Sequence, residues 1–478
     1  MKCPHCGNQN PIHQQYCATC GKKIEVAFDA VADSVRDDAE KIRERAYPNL
    51  LLQVVLLLAL ANIAVLVVTS TLSPRIDSGD VILPGALPPE LSYDAEAVVK
   101  MPELPGADEV APFALPTSVQ KGARRFGFRN SPLRERIHAA RGGDPAVLKS
   151  IQKGLVCLKR RQDRTGAWNV RGGWNLGKAA WGIPAVTGLA VLAMLGDGHV
   201  WTGPGGDEDD FGQAAGKGVR YLVSVQQDNG LVGNPEGNYM YNHAIATNAL
   251  CEAYAMSGVE QLRPPAEKAI AFLLMAQREN GGWDYTEKAG IRANLAVTTW
   301  PIAALRSARL AGLKVPDTAF TAAASYIDSL TDPETGFSGY DRRAQGEILS
   351  PTFLGSTAMS LACKAMLGQK AGATVCRLQR DVLLREENLP VYKSEWRRVS
   401  GTYSERNIYY YFYHGTVGMQ TNEGSPWHTW YGAVSKTLLK VQMGDGSWQP
   451  IGKWAVDGGR VYTTAMAVLA LQTPYRFQ

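Results

Sequence analysis

The chain has 478 residues, 45% of them hydrophobic, enough for a large core and more than one domain. Its formal net charge of +5 is the small difference between 50 basic and 45 acidic residues. No Lys/Arg tract or nucleic-acid-binding motif disturbs that balance, which argues against nucleic acid as a partner.

The first segment, "MKCPHCGNQNPIHQQYCATCGKK", carries two C-x-x-C knuckles, Cys3/Cys6 and Cys17/Cys20. Each knuckle can present two thiolates to one tetrahedral ion. Gly7 and Gly21 follow the second cysteine of each pair, where a tight turn favours positive φ. Residues 1–24 are therefore expected to form a zinc ribbon whose folding energy comes from a structural Zn ion, since so short a segment has no useful core. It resembles the small zinc ribbons found at bacterial N-termini. A thioredoxin-like scaffold for redox use of one knuckle is missing, and His5 and His13 are not needed as ligands. Cys157, Cys251, Cys363 and Cys376 fall in helical apolar patterns and read as buried thiols.

Residues 25–48 are charged and helix-prone. The next stretch, "NLLLQVVLLLALANIAVLVVTSTL" (49–72), has no ionisable side chain and is long enough, at about 1.5 Å per residue, to cross a hydrocarbon core of about 30 Å. It starts far from the N-terminus without a small-residue cleavage pattern, so it reads as a transmembrane helix and not as a signal peptide. Lys22, Lys23, Arg36, Lys41, Arg43 and Arg45 precede it, whereas only Arg75 follows closely. The positive-inside rule puts the ribbon in the cytoplasm and the rest on the extracytoplasmic, periplasmic side of the inner membrane. A reducing cytoplasm suits zinc-binding thiols. Residues 73–123 are rich in proline and read as an extended tether.

From 124 to 478 the chain repeats. "RQDRTGAW" (161–168), "VQQDNGLV" (225–232), "AQRENGGW" (276–283) and "VQMGDGSW" (441–448) share a Gln, a Gly four residues on, and an apolar position two further. "LTDPETGFSGY" (330–340) is a looser copy, and the gap before 441 leaves room for a degenerate one near Trp396. An amphipathic helix precedes each copy; in the first, Val147, Ile151, Leu155 and Leu158 form the apolar stripe. A helix apolar nearly all round follows, as in "IPAVTGLAVLAML" (183–195). Pro184 and Pro301 are expected at the starts of such second helices. Alternating half-buried and fully buried helices predict a mainly α fold: about six hairpins, apolar helices inside and amphipathic ones outside, closed into an α/α toroid with no exposed ends. The recurring Gln and Trp are expected to join neighbouring hairpins, the amide satisfying backbone groups at helix ends and the indole covering the loop.

These turns, and openings such as "VYTTAMA", resemble the squalene cyclase and protein prenyltransferase superfamily of α/α toroids. "NIYYYFYHGTVGMQTNEGSPWHTW" (407–430) and the segment at 444–471 are more closely similar to the membrane-anchored cyclase-like proteins of planctomycetes and their relatives, a resemblance that implies the fold without fixing an activity.

Asp207-Glu208-Asp209-Asp210 spells D-x-D-D, the motif by which the cyclases protonate a substrate. In that family it precedes an inner helix, where desolvation keeps an acid protonated. Here it precedes "FGQAAGKGVRYLVSVQQ", an outer helix, where aspartates cap free N–H groups. Asp209 and Asp210 are thus the candidate acids, with capping as the competing reading. The prenyltransferase zinc motif has no counterpart, because no D-x-C occurs. Candidate ligand-binding residues are Tyr410, Tyr413 and His414, stacked on adjacent turns, and His243 at an inner-helix start. The sequence supports a binding or scaffold module for a lipid, peptide or envelope-protein ligand. The alternative is an isoprenoid cyclase or related lyase or isomerase with an unrecognised acid.

Overall fold

The computed structural model describes residues 5–8, 19–20, 126–130, 132–169, 182–203, 208–288, 290–344, 352–391, 408–451 and 453–477. The chain divides into two compact units, Met1–Glu90 and Leu91–Gln478. In the first, Gly7 takes φ +72° and the Asn8 amide donates to the Thr19 hydroxyl, which brings the two knuckle regions side by side. Cys6 and Cys20 are exposed; Cys3 and Cys17, like the segments 25–48, 49–72 and 73–123, lie outside the described residues. Among the described residues no helix is long and apolar enough to cross a membrane.

The second unit is helical, with three isolated β-bridges and no strand among the described residues. A short helix α1 (Leu133–Ala140) precedes six hairpins. The outer members are α2 (Pro145–Arg161), α4 (Asp210–Ser224), α6 (Arg263–Met275), α8 (Asp317–Ser329), α10 (Thr374–Leu383) and α12 (Ser425–Val441). The inner members are α3 (Ile183–Gly196), α5 (Tyr239–Ser257), α7 (Leu295–Leu310), α9 (Thr352–Met366), α11 (Ile408–Met419) and α13 (Lys453–Arg476), the last kinked at Gly459. Each inner helix packs against the next, and α13 returns to pack against α3, so the inner layer is a closed ring of six. Outer helices pack against the inner ones, and α12, the last, meets α2, the first.

Sequence pattern explains the layers. Val147, Ile151, Leu155 and Leu158 of α2 are fully buried while its lysines face out, and Asp144 caps the helix by accepting the Ala146 N–H at 2.8 Å. Helix α3 is buried along nearly its whole length, and a Cβ at Gly188 would sit 3.1 Å from the Ile245 carbonyl of α5, so this glycine lets the two inner helices approach closely. Pro184 lies in the first turn of α3 as expected. Pro301 does not open its helix: α7 starts at Leu295, where Asn294 accepts the Val297 N–H at 2.9 Å, and Pro301 falls inside it. A strong cap thus extends the helix upstream of the proline.

The repeat turns join hairpin to hairpin. Gln162 Nε2 donates to the Gly166 carbonyl of its own turn and to Ala214 of α4; Gln226 to Gly230 and Pro265; Gln277 to Gly281 and Ala319. Trp168, Trp283 and Trp448 are fully buried, and each indole N–H donates to a carbonyl of its own outer helix, Leu158, Leu273 and Leu438. The turn glycines have φ near +90° and abut the backbone of the next outer helix: a Cβ at Gly281 would lie 2.0 Å from the Ala322 carbonyl. Only glycine satisfies both demands. The degenerate copy expected near Trp396 falls between α10 and α11, at residues outside those described.

Candidate functional site

The two ends of the ring interior differ. At the C-terminal ends of the inner helices it is sealed by charge: Glu252 of α5 (3% exposed) pairs with Arg129, preceding α1, at 2.6 Å and with Arg476 of α13 at 2.9 Å. Burial raises the Glu252 carboxyl, but the two guanidiniums outweigh it and hold the group below its ordinary range. Arg129 is itself lowered to about 10, chiefly by burial. Arg476 also donates to the Leu192 carbonyl of α3, and Asp197 at the end of α3 pairs with Arg134 of α1 at 2.9 Å. The segment before the first hairpin therefore closes this end, and the buried carboxylates Asp197 and Glu252 are both engaged by arginine.

The opposite end, where the inner helices begin, is aromatic. Trp300 of α7 stacks on Tyr413 of α11 (centroids 5.8 Å, 11° between planes), donates its indole N–H to the Tyr410 hydroxyl, and meets His414 edge-on at 5.7 Å. Tyr410 donates to the Ala296 carbonyl at 3.2 Å. Tyr241 of α5 lies 6.1 Å from Tyr285, whose hydroxyl contacts that of Tyr340 at 2.6 Å. Tyr462 of α13 completes the group, close enough to Tyr241 and Tyr410 to perturb both. Burial, with these neighbours, pushes Tyr241 and Tyr410 well above the ordinary phenol value, so their hydroxyls stay neutral. His414 is 1% exposed; Nδ1 bonds the Tyr410 carbonyl at 2.9 Å and Nε2 is buried without a partner. Burial lowers its pKa to about 3, so the ring is neutral and, with Nδ1–H donating, Nε2 is a bare acceptor.

The structure thus brings Tyr410, Tyr413 and His414 together and adds Trp300, Tyr241, Tyr285, Tyr340 and Tyr462, which are scattered along the sequence. A sequence signal existed for two of them: Tyr285 stands two residues after Trp283 of its repeat turn, and Tyr340 two residues after Ser338, the bridge position of its own.

The other candidates lie elsewhere. His243 is fully buried between the layers, its Nδ1 accepting the Val232 N–H at 3.1 Å and its Nε2 against the Ala269 carbonyl at 3.1 Å, with Phe272 of α6 packed on its ring. In other hairpins the matching N–H, on Trp168 or Trp283, is accepted by a threonine, Thr187 or Thr298. Where Trp is replaced by Val232, a histidine stands in for that threonine. Asp209 is the N-cap of outer helix α4, accepting the Gly212 N–H at 2.7 Å and contacting His199 at 2.6 Å. Asp210 is exposed and pairs with Lys159 of α2 at 2.5 Å. Asp207 lies outside the described residues.

The fold so defined is an α/α toroid. A variant of the type II terpene cyclase MstE from Scytonema, bound to geranylgeranyl dihydroxybenzoate, is similar over 70% of this chain and 98% of its own, at 15% identity and a TM-score of 0.46. A family 76 glycoside hydrolase (mannosidase) from Bacteroides thetaiotaomicron is similar over 69% of this chain and 98% of its own, at 11% identity and a TM-score of 0.47. No protein-family model matches the sequence.

Proposed function

We propose that the toroid is a binding module that takes its ligand at the aromatic mouth without chemically changing it. One observation carries this reading: the two fully buried carboxylates among the described residues, Asp197 and Glu252, are ion-paired to arginines at the sealed end, and those arginines hold Glu252 below its ordinary range. A cyclase needs a desolvated, protonated acid facing its cavity. The candidate acids Asp209 and Asp210 instead serve the start and surface of an outer helix.

In the whole protein the module is held to the inner membrane by residues 49–72, with the toroid on the periplasmic side and residues 1–24 in the cytoplasm. Cys3, Cys6, Cys17 and Cys20 would hold zinc. The positive φ of Gly7 and the Asn8–Thr19 contact fit that donor set, since they turn one knuckle and bring it beside the other. The metal would supply folding energy to the ribbon and no chemistry to the toroid.

The test incubates the full-length chain with squalene and with geranylgeranyl diphosphate and follows the products by mass spectrometry. Substrates recovered unchanged support a binding module. A cyclised product that disappears in Asp209→Asn overturns it.

A further inference from the structure

The mouth also carries information about what it binds. Five half-buried tyrosines reach it from separate parts of the chain: Tyr241 from α5, Tyr285 and Tyr340 from two turns, Tyr410 from α11 and Tyr462 from α13. Each is packed against the core with part of its surface exposed, and the buried Trp300 indole donates to the Tyr410 hydroxyl behind them. Packed against Tyr410, Tyr413 and Trp300 is the ring of His414, whose buried Nε2 has no hydrogen-bond partner. A buried acceptor left unmatched costs about 1–3 kcal/mol, so it calls for a ligand or water that brings a hydrogen.

Charge narrows the choice. The carboxylates next to the turn tyrosines, Asp284 and Asp341, both lie close to Tyr326 of outer helix α8, and Asp284 accepts from the Asn294 amide at 2.9 Å. Glu287, further along the same turn, meets Tyr239 through its backbone N–H. The hydroxyls of Tyr285 and Tyr340 contact each other, and that of Tyr410 meets the Trp300 indole and the Ala296 carbonyl. The rings offer a cationic ligand face attraction of about 0.5–2 kcal/mol per favourable contact against its lost hydration, and the unpaired carboxylate oxygen on these turns, Glu287 Oε2, is itself buried. A pure hydrocarbon would leave phenol hydroxyls and the imidazole acceptor unpaired. A sugar ring matches both features: its C–H faces lie on aromatic rings, and its hydroxyls donate to and accept from Tyr and His.

We infer that the mouth is a carbohydrate-binding site whose ligand is a neutral oligosaccharide held by the tyrosine rings, with a sugar hydroxyl donating to His414 Nε2. This rests on the binding-module reading above, and the experiment separates the two.

The full-length chain, purified in a detergent without a sugar headgroup, is titrated by calorimetry with neutral hexasaccharides of glucose, mannose and N-acetylglucosamine. Tetramethylammonium and geranylgeraniol serve as the cationic and hydrocarbon arms. At least one hexasaccharide is expected to bind, and Tyr285→Phe, Tyr410→Phe and His414→Gln should each weaken it about 3- to 10-fold, the loss of one hydrogen bond. The phenylalanine variants remove a single oxygen, and thermal unfolding checks that they remain folded. Binding of no hexasaccharide, or binding indifferent to all three variants, overturns the carbohydrate assignment. If tetramethylammonium or geranylgeraniol binds instead and Tyr410→Ala abolishes it, the ligand class is wrong while the binding module stands. Shortened sugars in the mass spectrum would keep the ligand class and refute a module without chemistry.

Discussion

Gln442 Nε2 donates to the backbone carbonyl of Ser150 at 2.9 Å, across 292 residues of sequence, and Ser150 Oγ donates back to Gln442 Oε1 at 2.8 Å. This is the bond that joins Gln162 to Ala214 and Gln277 to Ala319 inside the array, now made between the last hairpin and the first. A stack of hairpins normally needs polar caps at both ends. Here the ends cap each other, and the aromatic mouth is the consequence, because only a closed ring brings Tyr462 of α13 beside Tyr241 of α5.

The turn glycines are expected to be intolerant of any side chain. Gly281→Ala places a methyl 2.0 Å from the Ala322 carbonyl at a φ of +87°, and should cost at least about 2 kcal/mol in urea unfolding. Gly444→Ala, in open space on the last turn, should change stability by no more than about 0.5 kcal/mol.

Stability should fall on the acid side. Burial lowers His138 to about 4 and His243 and His414 to about 3, whereas the unfolded chain takes up these protons near 6.5. Their contribution is complete above about pH 6.5 and is lost as pH drops toward the folded values, by up to about 1.4 kcal/mol per pH unit for each histidine. His199 behaves oppositely. Burial disfavours its charge, but Asp197 and Asp209 prevail and raise its pKa, so its contribution is present below about 6.5 and is lost as pH rises through the folded value. Urea unfolding from pH 4.5 to 8 should show the acid limb, made shallower by His243→Gln, while His199→Gln flattens the alkaline side. A curve flat throughout would contradict the burial of neutral imidazoles.

Breaking the sealed end should be costly. Arg129→Met removes one of the two arginines ion-paired with Glu252 in a buried site, and a loss of about 3–5 kcal/mol is expected in thermal unfolding. Because the groups form one network, Arg129→Met combined with Glu252→Gln should cost less than the two separate losses added.

Elemental analysis of the purified full-length chain should find about one zinc per chain, as a four-thiolate site requires. Cys17→Ser should release it without changing unfolding of the toroid. Retained zinc in that variant would remove Cys17 from the ligand set.

Much of the ring was legible because its logic is local. The Gln-to-Gly spacing marked each turn, the apolar stripe of Val147, Ile151, Leu155 and Leu158 marked an outer helix, and the near-continuous apolarity of 183–195 marked an inner one. Position also told against Asp209, since the residues after it read as an outer helix that needs a cap. What depends on distant partners was not legible. Nothing around Arg129 announces Glu252 and Arg476, which it meets only after closure. The helix start at Leu295 rested on the cap at Asn294, a weaker sequence signal than Pro301. His243 read as a candidate ligand residue because its two backbone partners, Val232 and Ala269, lie in other elements. At the mouth, the run at 409–414 stood out as a cluster, while Tyr241, Tyr285, Tyr340 and Tyr462 were single tyrosines until the fold assembled them.

Ring closure is tested most directly by covalent trapping. Cysteines are placed at 150 and 442, the full-length chain is treated with a short bifunctional thiol cross-linker, and the digest is read by mass spectrometry. A closed toroid predicts a joined pair of peptides, one containing position 150 and the other position 442, formed within single molecules at high dilution. An intact, folded chain that yields no such pair, while cysteines at the internal joint 162 and 214 cross-link readily, would mean that the hairpins form an open stack.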